Sequence, residues 1–116
     1  MRRFLKSFGF AFEGIVHGFK SERNFKVHVL AATIVVLSGI LTKLSIQEWI
    51  VIYVLIAGML ALELLNTAVE RIIDLITSER HPLAKQAKDL AAGAVLIYAL
   101  ASAIIGFIIF IPKWLS

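Results

Sequence analysis

The chain contains three apolar stretches, each about long enough to cross a lipid bilayer. A transmembrane helix needs about 20 predominantly apolar residues, and such stretches occupy residues 27–44, 49–69 and 90–112. Hydrophobic residues make up 59% of the 116 residues and charged residues only 17%. A soluble domain of this size could not hide so much apolar surface. The sequence therefore predicts a single all-α membrane domain, residues 1–116, with three transmembrane helices.

Basic residues predict how the three spans are oriented. They cluster before the first span and between the second and third, whereas only Lys43 and Lys113 fall on the other side. Loops on the cytoplasmic side of a membrane carry an excess of Lys and Arg. We therefore expect the N-terminus and the second loop, residues 70–89, to be cytoplasmic. A broad basic face of the kind that binds nucleic acid is not evident, so no nucleic-acid partner is expected.

Residues 1–25 do not read as a signal peptide, because Lys6 and Glu13 interrupt their apolar positions. Apolar side chains instead repeat at helical spacing, with charged side chains on the opposite face. The apolar positions are Phe4, Phe8, Ala11, Phe12, Ile15, Val16 and Phe19. We expect an amphipathic helix lying in the membrane surface. The pattern does not decide between a simple anchor and a lid over a site.

Glu63 interrupts the second apolar stretch before that stretch is long enough to span the bilayer. Because a helix turns by about 100° per residue, Glu63, Asn66, Glu70 and Asp74 share one narrow stripe. An ionisable side chain at membrane depth is costly and is by default a functional candidate. The stripe therefore predicts an active site that extends from the membrane to the water, with Glu63 as its deepest group.

The second loop carries groups suited to phosphate chemistry. Nothing breaks the second span's helix before about Thr77, and Pro82 suits the first turn of a new helix. Lys85, Lys88 and Asp89 would then share one face. Carboxylates suit Mg²⁺ and lysines suit phosphate oxygens, which together favour phosphoryl transfer. The chain has no P-loop motif and no cysteine, which excludes a P-loop nucleotide site, disulfides and thiolate chemistry.

Each of these polar groups has a simpler interpretation. Glu70 and Asp74 are also compatible with ordinary surface ion pairs to Arg71 and Lys85. Lys88 beside Asp89 is compatible with interfacial anchoring. Glu22, which precedes the first span, is compatible with a carboxylate at a helix start. A structural role is harder to assign to Glu63, because Asn66 alone is a weak partner for a carboxylate within the membrane.

Two runs of residues carry a resemblance to a known family. The run ELLNTAVERIID at residues 63–74 and the run AKDLAAGAVLI at residues 87–97 resemble the signature of the prokaryotic diacylglycerol kinases, which include the undecaprenol kinases. The resemblance covers nearly the whole chain, including ERNF at residues 22–25. It implies ATP-dependent phosphorylation of a lipid alcohol, Mg²⁺ as a cofactor, a homotrimer with sites between subunits, and a multi-pass location in the bacterial cell (inner) membrane.

The resemblance also implies roles for individual residues. Glu63 would be the general base for the lipid hydroxyl, with Asn66 beside it, and Glu22 and Glu70 would hold the metal ion bound to ATP. The positions aligned with nucleotide contacts are Arg3, Phe10, Asp74, Glu79, Arg80, His81, Lys88 and Asp89. Phe10 departs from the family, because an aromatic hydroxyl can occur at that position and phenylalanine cannot make its polar contact.

The identity of the lipid substrate is predicted from a weaker sequence signal. Asn24, Lys26 and His28, with the Arg80-His81-Pro82 turn, resemble the undecaprenol kinase branch, whereas diacylglycerol kinases tend to have an acidic residue at the position of His28. We therefore expect undecaprenol as the substrate, with diacylglycerol as the alternative. A non-enzymatic alternative is a holin-like membrane oligomer in which Glu63 lines an aqueous path, and which would need neither ATP nor a metal ion.

Overall fold

Four helices and short connections make up the whole protein. The computed structural model describes residues 1–116, and its helices are α1 (Arg2–Ser21), α2 (Arg23–Thr42), α3 (Ile46–Ile76) and α4 (Pro82–Leu115). Helices α2, α3 and α4 are each long and apolar enough to cross a membrane. The prediction of an all-α membrane protein with three spans is confirmed. The first twenty residues are helical, as expected, but the position of α1 at the membrane surface stays a prediction.

Helices α3 and α4 are longer than a bilayer requires. With 31 and 34 residues, they extend over about 45 and 50 Å at 1.5 Å per residue, compared with about 30 Å for the hydrocarbon core. Helix α3 continues to Ile76 and α4 begins at Pro82, as the sequence predicted. We therefore expect both helices to project beyond the membrane at the end where residues 77–81 connect them.

A tight turn joins α2 to α3 at the opposite end. Lys43 adopts a left-handed conformation with φ of 57°, and the backbone N–H of Leu44 donates to the carbonyl of Gly39 at 3.2 Å. Ser45 then begins α3 with a capping box: its hydroxyl accepts from the Glu48 N–H at 3.2 Å, and the Glu48 carboxylate accepts from the Ser45 N–H at 2.9 Å. These bonds satisfy backbone groups that a helix end leaves open.

An ion pair ties the end of α4 to this turn. Lys113 Nζ lies 3.1 Å from the Glu48 carboxylate. The hydrogen bond from the Ser45 backbone and the one from Lys113 lower the pKa of Glu48. The start of α3 and the end of α4 therefore lie at the same end of the molecule, so the two helices run antiparallel.

Tyr98 connects the middle sections of α3 and α4. Its hydroxyl donates a hydrogen bond to the Val54 carbonyl at 2.7 Å. A Cβ atom at Gly58 would collide with the tyrosine ring and hydroxyl, so only glycine lets the two helices approach in this way. The bond also gives the tyrosine hydroxyl a partner at a depth where water cannot supply one.

Most of the apolar surface remains uncovered within one chain. Only nine of the 116 residues are buried, and Glu63 and Asn66 are among them. The apolar core cluster is small and consists of Leu44, Ile52 and Phe110, near the end of the molecule that holds the α2–α3 turn. In a chain with so few buried apolar residues, the burial of a carboxylate and an amide is a specific feature of the fold.

Candidate functional site

The middle of α3 places two polar side chains in the interior of the helical bundle. Glu63 is 3% exposed and Asn66 is 8% exposed. His28 of α2 faces the carboxylate, with its Nε2 atom 3.7 Å from Glu63 Oε2. At this distance the two side chains are in contact but do not form a hydrogen bond. The Asn66 Oδ1 atom is buried and has no hydrogen-bond partner. The buried group therefore keeps unused hydrogen-bonding capacity at membrane depth.

A second set of polar groups lies farther along α3, beyond the expected membrane-embedded part. Lys88 Nζ of α4 donates to Asp74 Oδ1 of α3 at 2.6 Å. Lys85 donates to Asp89 at 2.5 Å within α4. The hydrogen bond to Asp74, supported by the charges of Asp74 and Glu70, raises the pKa of Lys88. Lys88 thus stays positively charged across the physiological pH range.

A cavity of about 630 Å³ opens where α3 ends and α4 begins. Its lining contains six of the predicted nucleotide-contacting residues: Asp74, Glu79, Arg80, His81, Lys88 and Asp89. Local hydrogen bonds shape the connecting segment, because the Thr77 hydroxyl accepts from the Glu79 N–H at 3.1 Å and the His81 ring nitrogen Nδ1 accepts from the Leu83 N–H at 3.1 Å. His81 thereby caps α4, with Pro82 in the first turn.

Glu22 lies between α1 and α2 and is held by a residue of α3. Although it occupies the position before α2, its side chain makes no capping bond. Its Oε1 atom instead lies 2.6 Å from Arg71 Nη2. Arg71 also contacts the His17 ring at 3.1 Å and the Ser21 hydroxyl at 3.4 Å. Since Arg71 directly follows Glu70 in the chain, this cluster brings the Glu22 segment to the part of α3 that carries Glu70.

The ion pairs in the structure differ from the surface pairs that the sequence suggested for Asp74 and Glu70. Asp74 pairs with Lys88 rather than with Arg71 or Lys85, and Arg71 pairs with Glu22. The Asp74–Lys88 pair joins two helices instead of covering one helical surface. Glu70 has no ion pair within 4.0 Å.

Two predicted contacts lie elsewhere on the surface. Arg3 and Phe10 are exposed residues of α1, and Phe10 is 67% exposed. Neither lines the cavity at the α3–α4 connection. Their role in nucleotide binding stays a prediction.

The possible metal site consists of Glu22 and Glu70. No group of three or more His, Cys, Asp or Glu side chains is arranged to hold a metal ion. Two carboxylates nevertheless suit Mg²⁺ that arrives with ATP, because protein sites commonly supply one or two carboxylates and leave the other positions to water and phosphate. The donor set is thus compatible with the metal ion of a Mg-ATP complex and is too small for a dedicated metal cage.

The fold and the site together define a small helical membrane protein with a buried carboxylate about three helical turns from a charged, phosphate-compatible cavity. Comparison with known proteins gives the family. A sequence model of prokaryotic diacylglycerol kinase matches residues 9–110. Undecaprenol kinase of Bacillus subtilis (strain 168) is 55% identical over 97% of this chain and 92% of the relative's length.

More distant relatives are similar in sequence as well. A diacylglycerol kinase from Synechocystis is 39% identical over 97% of this chain, which spans 65% of that protein's length. A diacylglycerol kinase from Escherichia coli (strain K12) is 28% identical over 88% of this chain and 84% of that protein. The chain therefore belongs to the prokaryotic diacylglycerol kinase family and is a lipid kinase, which confirms the predicted family and enzyme class.

Proposed function

We propose that the protein transfers the γ-phosphate of Mg-ATP to the hydroxyl of undecaprenol at the cytoplasmic surface of the bacterial cell membrane. The observation that supports this most directly is Glu63, a carboxylate 3% exposed in a helix that continues to a charged cavity. The 55% identity to an undecaprenol kinase favours a polyprenol over other lipid alcohols. The rest of the proposal follows from where the charged groups lie.

The cavity at the α3–α4 connection is the proposed nucleotide site. Its volume of about 630 Å³ lies within the range of small-molecule sites, and it is open to water. Lys88, whose charge is maintained by Asp74, is available to neutralise phosphate oxygens. Arg80 and His81 line the same cavity and add further hydrogen-bond donors.

Glu22 and Glu70 are the proposed ligands of the magnesium ion that accompanies ATP. When bound, this ion would neutralise charge on the phosphates. Arg71 engages one oxygen of Glu22 and leaves the other available. The protein presents these two carboxylates from different parts of the chain. Glu22 lies between α1 and α2, and Glu70 lies in α3.

Glu63 is the proposed general base for the lipid hydroxyl. Glu63 and Glu70 are separated by about 10 Å of helical rise, at about 1.5 Å per residue. A base at the depth of the lipid headgroup is thereby connected rigidly to groups in water, and a membrane-dissolved alcohol can meet soluble ATP. Asn66, one turn from Glu63, can hydrogen-bond either the base or the alcohol. Most of the catalysis would come from orientation and charge stabilisation.

We place α1 at the membrane surface and the protein in a homotrimer. Phe4, Phe8 and Phe12 of α1 are each more than 60% exposed, which is typical of an aromatic face inserted among lipid headgroups. One chain buries few apolar residues, so neighbouring copies would cover part of the surface. The N-terminus and residues 70–89, both rich in basic residues, would be cytoplasmic.

Transfer of labelled phosphate to a defined lipid tests the proposal. Purified protein in vesicles would receive [γ-³²P]ATP and Mg²⁺, with undecaprenol or diacylglycerol at the same mole fraction. We expect labelled undecaprenyl phosphate in wild type and almost none in Glu63→Gln. Preference for diacylglycerol would show that the lipid assignment is wrong and would favour the activity named for the Synechocystis relative. Labelling of neither lipid would contradict both assignments.

A further inference from the structure

The net positive charge of the chain lies entirely in its first 26 residues. With histidine neutral, the whole chain has a net charge of +4. Residues 1–26 hold six basic and two acidic residues, which also gives +4, whereas residues 27–116 hold six basic and six acidic residues. The excess charge that the protein presents to its surroundings is therefore concentrated on α1 and on the start of α2.

The six basic side chains of this segment have no ion-pair partner within the chain. They are Arg2, Arg3, Lys6, Lys20, Arg23 and Lys26, and all six are exposed. The ion pairs of the structure involve other basic residues. The two acidic residues of the segment do not neutralise them, because Glu22 pairs with Arg71 and Glu13 makes no ion pair. Accumulated like charges repel one another, so an anionic partner would stabilise this surface.

The first fifteen residues form an exposed arm. The contacts that hold α1 to the bundle lie near its end, where Gly18 is buried and a Cβ atom at that position would lie 2.7 Å from Leu64 Cδ2 of α3. Along one face of the arm, Phe4, Phe8 and Phe12 are 62%, 61% and 68% exposed. No protein surface lies beneath this aromatic face, and a lipid surface would cover it.

The basic side chains of α1 border this aromatic face. At about 100° per residue, Arg2, Lys6 and Lys20 fall within about 40° of one another on one flank of the face, and Arg3 lies on the other flank. Long basic side chains in such positions extend to the headgroup level while the aromatic rings lie deeper. The helix therefore presents apolar and cationic groups to the same lipid surface.

We propose that α1 and the start of α2 form a docking surface for anionic phospholipid headgroups, such as those of phosphatidylglycerol. The aromatic face suits any bilayer, whereas the unpaired basic side chains select a bilayer with a negative surface. Each basic residue close to such a surface strengthens binding by about fivefold. The inference rests on the position of α1 at the membrane surface that is proposed above, and it is independent of the transfer reaction.

The spread of the charges favours a lipid surface over a soluble phosphate compound. From Arg2 to Lys20 the basic side chains extend along about 27 Å of helix, at about 1.5 Å per residue. This length far exceeds the phosphate chain of one nucleotide. A leaflet that contains anionic lipids offers negative charge continuously over the same distance. The docking surface is thus distinct from the compact cavity at the α3–α4 connection.

Amide hydrogen exchange of the full-length protein in lipid nanodiscs tests the docking. One preparation contains phosphatidylcholine alone, and the other contains equal parts of phosphatidylcholine and phosphatidylglycerol. We expect exchange in residues 2–16 to be about tenfold slower or more in the anionic nanodiscs, because a docked helix opens less often. Salt at about 1 M, where the Debye length is about 3 Å, should remove most of this difference.

Matched variants separate charge from shape. Arg2→Gln combined with Lys6→Gln removes two charges and keeps the aromatic face, and we expect most of the difference between the two lipids to disappear. Arg2→Lys combined with Lys6→Arg keeps both charges and should behave as wild type. Lys43→Asn removes one basic residue at the opposite end of the molecule and should leave the difference unchanged. Asparagine tolerates the left-handed conformation of that position.

The outcomes distinguish this inference from the proposals on which it builds. Equal exchange of wild type in the two lipids would overturn the recognition of anionic headgroups, and full lipid dependence in the Arg2→Gln, Lys6→Gln protein would overturn the role of these charges. Equal slowing by ATP in phosphatidylcholine nanodiscs would assign the basic residues to the nucleotide and would also overturn the inference. Phosphate transfer to undecaprenol, measured in both preparations, tests the kinase function separately.

Discussion

Glu63 is the residue at which burial and charge are in strongest conflict. Glu63→Gln removes the negative charge and keeps the size, so the helices should pack as before. We expect phosphate transfer to fall by about 10²- to 10⁴-fold, the usual contribution of a general base, while nucleotide binding is retained. Transfer rate and ATP affinity of the purified variant provide the measurement. Glu13→Gln, an exposed change on α1, is the control, and near-normal turnover in Glu63→Gln would exclude the base role.

Lys88 gives a prediction about nucleotide affinity and pH. Its pKa is raised, foremost by the hydrogen bond to Asp74, so the ion pair is complete below the ordinary pKa of lysine. Its contribution is lost only as pH rises through the raised pKa. We expect Lys88→Met to raise KM for ATP about tenfold or more at pH 7. No change in KM for ATP would place the phosphates elsewhere. The neighbouring change Gln86→Met, at an exposed position outside the cavity, serves as the control.

The sequence could identify the candidate residues but not all of their partners. Glu63 and Asn66 stood out because they interrupt an apolar stretch, and their catalytic role stays a prediction. The contact between His28 and Glu63 joins two helices and depends on how those helices pack, which no spacing along one helix specifies. His28 was nevertheless visible as a polar residue within an apolar span. Nothing in the sequence distinguished Arg71 as the partner of Glu22, since other basic residues were equally available.

At the scale of elements, α3 connects the buried carboxylate of Glu63 to the cavity. Residues 63–76 contain neither glycine nor proline, so nothing in the sequence introduces a hinge. The helical spacing of Glu63, Asn66, Glu70 and Asp74 was predictable for this reason. Pro82 made the end of the α3–α4 connection predictable. The cavity beside it depends on hydrogen bonds of the Thr77 and His81 side chains, which sequence spacing does not determine.

Arg71 attaches the end of α1 and the start of α2 to α3. Arg71→Gln removes the ion pair with Glu22 and weakens the contacts to His17 and Ser21. We expect a higher Mg²⁺ concentration for half-maximal activity and faster hydrogen exchange in residues 17–22, because Glu22 is no longer held. Arg71→Lys should recover part of both effects. Lys6→Gln, an exposed change near the start of α1, is the control. Unchanged hydrogen exchange would show that the cluster does not fix this segment.

The capping box at the start of α3 gives a prediction about stability. Ser45→Ala removes the bond to the Glu48 N–H and should destabilise the fold by about 1 kcal/mol, without changing KM for either substrate. The pKa of Glu48 is lowered, so its stabilising contribution is present above the ordinary pKa of glutamate and is lost as pH falls through the lowered value. The Ser45→Ala variant keeps the backbone N–H of residue 45 and Lys113 as partners of this carboxylate, so acidification should lower the thermal midpoints of both proteins and leave their difference nearly constant. A loss on acidification that is confined to wild type would contradict this.

At the scale of the whole molecule, the central question is what covers the surface of one chain. The apolar composition made a membrane protein with three membrane-length helices predictable from sequence. The arrangement of several copies could not, because helices with apolar residues on most sides can associate through more than one face. Small residues such as Ala103 and Gly106 on α4 permit close contact between helices. Their presence does not determine which helix of which copy packs against them.

Mixing two inactive chains tests whether the active site is shared between copies. A Glu63→Gln chain lacks the proposed base, and a Glu22→Gln chain lacks a proposed metal ligand. If base and ligand come from different copies, coassembly should restore part of the activity, since some interfaces then combine an intact Glu63 with an intact Glu22. In a randomly mixed trimer most assemblies contain both kinds of chain, so recovery should be readily measurable. Each chain alone is the control, and mixing the double variant with either one should restore nothing. Because Arg71 links Glu22 to α3 within one chain, failure of mixing would favour a site built within that chain and would leave the kinase assignment in place.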